Sequence, residues 1–279
     1  MLVAHFLDLI PIWLLLIGTI LVMVIFIEVG FRLGKHAQAT AKKAQTSQVR
    51  AIMGAGLGLL AFMLAFTFST AQSHFEARVQ NLAEEARIAR NAFMQADMMA
   101  EPERTQTKQL LREYIQLRSV GRLGNEEAID QDLADALHLS EQIQRELWLL
   151  AVQGSRHILK GQKSSEQNSM LMGSVIALTD IHYSRVHAAV MNRIPLTIWM
   201  TLYLMAMLSM IIMGYQAGLT DKRSPVATVT LALAFSAVII LITDLDRPIM
   251  SFFEINNQLL IDLNDYMQAD LQLEYYPGD

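Results

Sequence analysis

The chain has 279 residues, of which 53% are hydrophobic and 18% charged, with a mean hydropathy of +0.30 and a formal net charge of −5. A water-soluble domain of this size carries about a quarter charged residues, so the shortfall points to membrane spans joined to polar segments. The mild negative charge leaves no basic stripe for nucleic acid, and the absence of cysteine excludes disulfides, thiolate zinc sites and a cysteine nucleophile.

The first apolar run, Ile10 to Val29, is long enough to cross a bilayer and starts beside Pro11, a residue suited to a helix start. No Lys or Arg precedes it, so it reads as a retained helix rather than a cleaved signal. A basic loop follows with Arg32, Lys35, Lys42, Lys43 and Arg50 and no acid among them. The second span is expected over Ile52 to Thr70.

The helical pattern does not end there. Phe75, Val79, Leu82, Ala86 and Phe93 keep near-helical spacing, and no Gly or Pro intervenes before Pro102. Span two is therefore expected to run on as one long helix beyond the bilayer. A second helix is predicted to start at Glu101-Pro102-Glu103 and reach about Val120, with Pro in its first turn, acids near its positive end, and Leu110, Leu111, Tyr114, Ile115 and Leu117 inside. Gly121 and Gly124 mark a turn. A third helix is expected from Asn125 to about Lys160, then a loop GQKSSEQNS, then a fourth helix from about Ser169 to Asn192.

Span three is predicted over Leu196 to Met213 after Pro195, and span four over Val226 to Thr243 after Pro225. The tail places Phe253, Leu260, Leu263 and Met267 at helical spacing, as an amphipathic helix would. The fold class expected is therefore all-α: an integral membrane protein with four transmembrane helices and a helical-bundle soluble domain inserted between helices two and three. The divisions are 1–71 for spans one and two with the basic loop, 72–193 for the extramembrane bundle, 194–244 for spans three and four, and 245–279 for the tail.

Lys and Arg in short loops set orientation. The loop between spans one and two, and the Lys222–Arg223 loop between spans three and four, belong in the cytoplasm by this rule. Both termini and the large insert then fall outside.

No catalytic constellation stands out. There is no phosphate-binding glycine motif, no G-x-S-x-G and no H-E-x-x-H, so no enzyme activity, cofactor or metal is expected. His182 and His187 are five apart, on different faces of a helix, and read as surface groups. Glu84-Glu85 and Glu126-Glu127 read as solvated helix faces.

Span two is the informative segment. Gly54, Gly58, Ala61 and Ala65 share a face with Ser69, a spacing that lets a neighbouring span or subunit approach closely. The adjoining face carries Phe62, Phe66, Ser69 and Ser73. It reads either as a pore lining with an aromatic constriction able to gate by dewetting, or as a surface packed on lipid or core. Glu28, with Arg32 one turn on, and Asp244, Asp246 and Arg247 at the end of span four are membrane-edge charges, suited to interface anchoring or to an ion path.

The stretch LLAFMLAFTFSTAQSHFEARVQNLAEEARIARNAFMQADMM, with the later ITDLDRPIMSFFEIN, resembles a family of bacterial membrane proteins described as bestrophin-like. The resemblance covers nearly the whole chain. The link to bestrophins themselves rests on span two passing through aromatic and small residues into a polar helix with Glu76-Ala77-Arg78. It implies a homo-oligomeric ion channel, a pentamer, in a bacterial inner membrane, with inorganic ions as its cargo and a second helix lining a narrow hydrophobic neck. Phe62, Phe66 and Ser69 are the positions carried over. Two departures accompany it: the run of consecutive acids forming the calcium clasp of animal bestrophins is missing, and the basic loops place the soluble part outside where bestrophins hold it in the cytoplasm. The alternative of another class is a sensor or scaffold with an extracytoplasmic bundle and no conduction.

Overall fold

The computed structural model describes residues 10–38, 43–119, 129–158, 165–220, 224–247 and 256–275. Among them are eight helices and no strand: α1 (Ile12–Ala37), α2 (Lys43–Ala96), α3 (Glu103–Ser119), α4 (Ile129–Ile158), α5 (Ser165–Val190), α6 (Leu196–Thr220), α7 (Pro225–Asp246) and α8 (Gln258–Tyr275). Four are long and apolar enough to cross a membrane: α1, α2 from Ser47 onward, α6 and α7. Those are the four spans read from the sequence.

The boundaries show what hydropathy measures. The apolar run marks where lipid ends, not where the helix ends. Thus α1 continues through Arg32 and Lys35 to Ala37, and α2 begins at Lys43, so most of the basic loop is helical. Arg and Lys are good helix formers, so nothing there stops the backbone ladder. In the same way α2 is one helix of 54 residues, far longer than the span within it. The Gly121–Gly124 turn, the first residues of the GQKSSEQNS loop, the Lys222–Arg223 pair and Phe253 lie outside the described residues.

The chain divides into two compact units. One holds α1, α2 through Glu76, α6 and α7. The other holds α2 from Ala77, then α3, α4, α5 and α8.

The first unit is organised by an interlock of α1 with α6. Gly30 and Gly34 on α1 face the backbone carbonyls of Ile211 and Tyr215, while Gly214 and Gly218 on α6 face those of Ile27 and Phe31. A Cβ at any of the four would overlap backbone. Both pairs are Gly-x-x-x-Gly, a spacing that stacks bare backbone on one helix face. Around this seam Met23, Ile27, Leu202, Ala206 and Met210 are buried, and Ser236 of α7 reaches Met23 Sδ at 3.4 Å.

In the second unit the buried surface is a helical-bundle core. Leu82, Ala89 and Phe93 of α2 meet Leu111 and Ile115 of α3, Leu147 of α4 and Leu178 of α5. The tail helix α8 adds Leu260, Leu263 and Met267 to it. Lys108, only 2% exposed, places its amine 2.5 Å from Asp97 and 2.7 Å from Asp270 of α8. Burial alone would lower its pKa, but the hydrogen bonds it donates to Asp270 and Asp97 outweigh it and hold the amine above its ordinary value.

The glycine seam generates a first prediction. Gly30→Ala should destabilise the protein in detergent by roughly 1–3 kcal/mol, because the methyl group has only backbone to displace. Gly18→Ala, on the same helix with nothing within 4 Å of the new carbon, should be neutral or slightly stabilising. Equal thermal midpoints for the two variants would remove the seam from its central place.

Candidate functional site

On α2 in the first unit, Leu60, Leu64, Thr67 and Ala71 are buried, each 4% exposed or less. At about 100° per residue these four define one side of the helix, and the line Phe62, Phe66, Ser69, Ser73 falls on the side opposite. The line faces outward: Phe62 is 66% and Phe66 61% exposed, and both serines are exposed. None of these four residues belongs to the core of the chain. Three hydroxyls along this stretch bond to their own helix, Thr67 donating to Met63 O at 2.7 Å, Thr70 to Phe66 O at 3.1 Å and Ser73 to Thr70 O at 3.3 Å.

The small residues form a flank beside the aromatic line. Gly54, Gly58, Ala61 and Ala65 are all exposed, and a Cβ at Gly54 or Gly58 would meet nothing within 4 Å. Within the described chain, then, no helix covers this flank at its glycines. The α2 glycine that meets a neighbour is Gly56, whose carbonyl accepts from Ser209 Oγ at 3.3 Å. Exposed positions on the other spans differ in kind. They include large aliphatic or Met side chains, Leu14, Ile17 and Leu21 on α1, Met200 and Leu204 on α6, Val229 and Leu233 on α7, together with Ala227, Ala234 and Ala237 on α7.

The edge charges separate into two kinds. Glu28 accepts from Arg32 Nε at 3.1 Å in an exposed pair, as the four-residue spacing predicts. Asp244, Asp246 and Arg247 are buried, at 3%, 6% and 3% exposed, so protein rather than headgroups surrounds them. Asp246 accepts from the backbone N–H of Ile194 at 3.0 Å, with His74 Nδ1 3.9 Å from the same oxygen. Arg247 donates to the carbonyl of Ile10 at 2.8 Å. Asp246 and Arg247 thus join the end of α7 to the chain just before α6 and α1.

The second unit holds a buried polar cluster that the sequence reading placed at the surface. Glu85 is fully buried and accepts from Tyr114 Oη at 2.5 Å and Arg118 Nε at 3.2 Å, while Arg185 pairs with its other oxygen. His182 is 1% exposed, its ring 6.5 Å from that of Tyr114. The expectation of solvated faces fits Glu84, which pairs with Arg87 at the surface, and fails for Glu85. Neighbours on a helix point about 100° apart, and Glu85 shares the register of Leu82, Ala89 and Phe93. His182 likewise continues Leu171, Val175 and Leu178, a register visible in the sequence. Burial pushes the Tyr114 hydroxyl up and the Arg118 guanidinium down, and lowers Arg185 to about 10. Burial, helped by the Arg118 charge, lowers His182 to about 4. Among the described residues no group of three or more His, Asp or Glu is placed to hold a metal.

A family profile described as a Bestrophin-like domain matches residues 17–258. Among solved structures, a single-substitution variant of a membrane protein is similar to this chain with a TM-score of 0.64 at 14% identity, covering 93% of this chain and 98% of that one. A mutated bacterial bestrophin homologue from Klebsiella pneumoniae is similar with a TM-score of 0.63 at 14% identity, over 94% of this chain and 98% of that one. At these identities the likeness is one of fold. The comparison with curated proteins gives no match.

The buried cluster yields two expectations. Glu85→Ala should cost about 3 kcal/mol of stability by thermal melting, since it strands two half-buried guanidiniums. Glu84→Ala should stay within about 0.5 kcal/mol. His182, neutral in the fold until about pH 4, takes a proton in the unfolded chain near 6.5. The unfolded state then binds more protons in that window, so stability falls as pH drops from 6.5 toward 4. His182→Leu should flatten that slope in a series of melts against pH, and an unchanged slope would assign it to other groups.

Proposed function

The chain belongs to the Bestrophin-like family, and from that premise we propose that it is a subunit of a homo-oligomeric ion channel in a bacterial inner membrane, with α2 lining the pore. The observation that carries this reading is the outward line of Phe62, Phe66, Ser69 and Ser73, set opposite the buried face of the same helix. In a ring of identical subunits, a helix covered by its own subunit on one side has its other side available to the axis.

Repeated around such an axis, Phe62 and Phe66 give two aromatic rings about 6 Å apart along the helix. An aromatic constriction of this kind closes by dewetting, and opens when a small widening admits water. Ser69 and Ser73 then line the wider, polar continuation. The flank of Gly54, Gly58, Ala61 and Ala65 allows α2 of the next subunit to come close, as small residues do where helices meet in lipid. Five copies follow from the family resemblance. The chemistry asked of the protein is passage of ions, with no bond made or broken.

Orientation is the other part of the proposal. The basic segments Arg32 to Arg50 and Lys222–Arg223 are assigned to the cytoplasm, and both termini and the soluble bundle inserted between spans two and three to the outside. Reporter fusions at Thr40 and Gly124 check it directly. A cytoplasmic signal at Gly124 would reverse the orientation and bring the chain into line with bestrophins.

A sensor or scaffold reading draws on one observation, a groove of about 420 Å³ between α4 and α5 edged by Trp148, Ile176 and Tyr183. Ion flux separates the two. Liposomes holding purified wild-type protein should pass ions above the empty-vesicle level, and Phe66→Ala should raise that flux by removing one aromatic ring. A homogeneous oligomer with no flux in several salts and pH values would favour the sensor.

A further inference from the structure

The outward line on α2 does not end at Ser73. Its spacing of four and three continues from Phe62, Phe66, Ser69 and Ser73 to Glu76, which is also exposed. At about 100° per residue all five lie within roughly 40° of Phe62. Glu76 follows Phe66 by ten residues, about 15 Å along the helix.

We infer that Glu76 forms a ring of carboxylates at the end of the α2 pore and makes the channel select inorganic cations over anions. This rests on the channel reading above, and it adds the class of ion.

The charge pattern on α2 carries the argument. From Ala51 to Phe75 there is no Asp, Glu, Lys or Arg. The single histidine of the stretch, His74, is turned to Asp246 rather than to the outward line. An ion following that line therefore passes rings, hydroxyls and then one carboxylate per subunit. The hydrogen bond of Glu76 comes from an uncharged group, Gln72 Nε2 at 2.9 Å, which fixes the carboxylate without offsetting its charge. Arg78, two residues on, is buried at 7% exposure and lies on the far side of the helix. Arg87 returns to the outward side, but Glu84 binds it at 2.8 Å and offsets it locally. Symmetry brings copies of Glu76 to one radius, and a ring of like charges beside a low-dielectric constriction concentrates counter-ions and excludes co-ions.

The test is the zero-current potential of planar bilayers containing the purified full chain under a potassium chloride gradient. The wild type should show a potential of the sign set by potassium. Glu76→Gln should move it toward zero, Glu76→Lys across zero, and Glu76→Asp should retain the wild-type sign. Because the side chain is exposed, each variant should elute as the same oligomer as the wild type. An anion-selective wild type overturns the inference and leaves the channel standing, and so does a Glu76→Lys channel that still conducts with an unchanged potential. No current from the wild-type oligomer overturns the channel reading and this inference with it.

Discussion

Direct backbone contact between α1 and α6 is the constraint on which the membrane unit depends. Lipid tails are as apolar as leucine, so burying a hydrophobic side chain against another helix gains little over leaving it in the bilayer. What remains is close packing, and close packing needs surfaces without Cβ atoms. Gly30 and Gly34 meet Gly214 and Gly218 in this way, each facing a carbonyl of the partner helix. Once α1 and α6 are fixed, Met23 is placed to receive Ser236 of α7, and Ser209 is placed to reach Gly56 of α2. α2 thereby commits one side to its own chain. Its other side is left for something outside it.

The two units handle buried polarity differently, and the difference follows from their surroundings. In the spans, some hydroxyls donate to the carbonyl one turn back, as Thr67, Thr201 and Thr243 do, while Ser209 and Ser236 reach groups on other helices. Among the described residues the buried charges of this unit lie at the end of α7, where Asp246 and Arg247 bind backbone groups of neighbouring segments. The second unit instead encloses Glu85 with two arginines and a tyrosine. Burying those ions costs several kcal/mol in desolvation, which attraction at short range and three donors only offset. Such a cluster contributes less to net stability than a leucine core would. It does tie α2, α3 and α5 into one arrangement, because any other leaves an ion unpaired in a dry interior.

The spans and the long α2 were legible because they depend on local properties: apolar length, and the absence of Gly and Pro over a long polar stretch. The contacts between helices were not legible in the same way. Gly30-x-x-x-Gly34 and Gly214-x-x-x-Gly218 are in the sequence, yet so are Gly54, Gly58, Ala61 and Ala65 on α2, and the latter form the longer stripe. Which stripe meets a helix of the same chain depends on how each helix is rotated, a tertiary property that no window of sequence contains. Glu85 and His182 were misread for another reason. Charge and imidazole suggested the surface, whereas register placed both in line with the core residues Leu82, Ala89, Leu171 and Leu178. Where identity and register disagree on a long helix, register was the better guide here. The aromatic and hydroxyl line on α2 was read from the same periodicity, and its outward direction in the structure keeps the pore reading open.

Exposure alone does not distinguish a lipid-facing side from a lumen-facing one, so the kind of residue exposed has to decide. On α1 the outward positions are Leu14, Ile17, Leu21, Ile25 and Val29, an aliphatic surface of the sort lipid tails accept at no cost. On α2 the outward positions are small residues with Ile52 and Leu59 among them, then two phenylalanines, then Ser69, Gln72, Ser73 and Glu76. If that side faced lipid, small residues would leave the acyl chains poorly packed, and the polar line would have to lie wholly in the headgroup layer. If it faces other copies of α2 around water, each group has a use: glycine and alanine for helix approach, phenylalanine for a dry constriction, hydroxyl and carboxylate for hydrated ions. The second arrangement explains all three residue types by one geometry, and it requires that the helix lining the pore be the one whose far side the chain itself leaves uncovered.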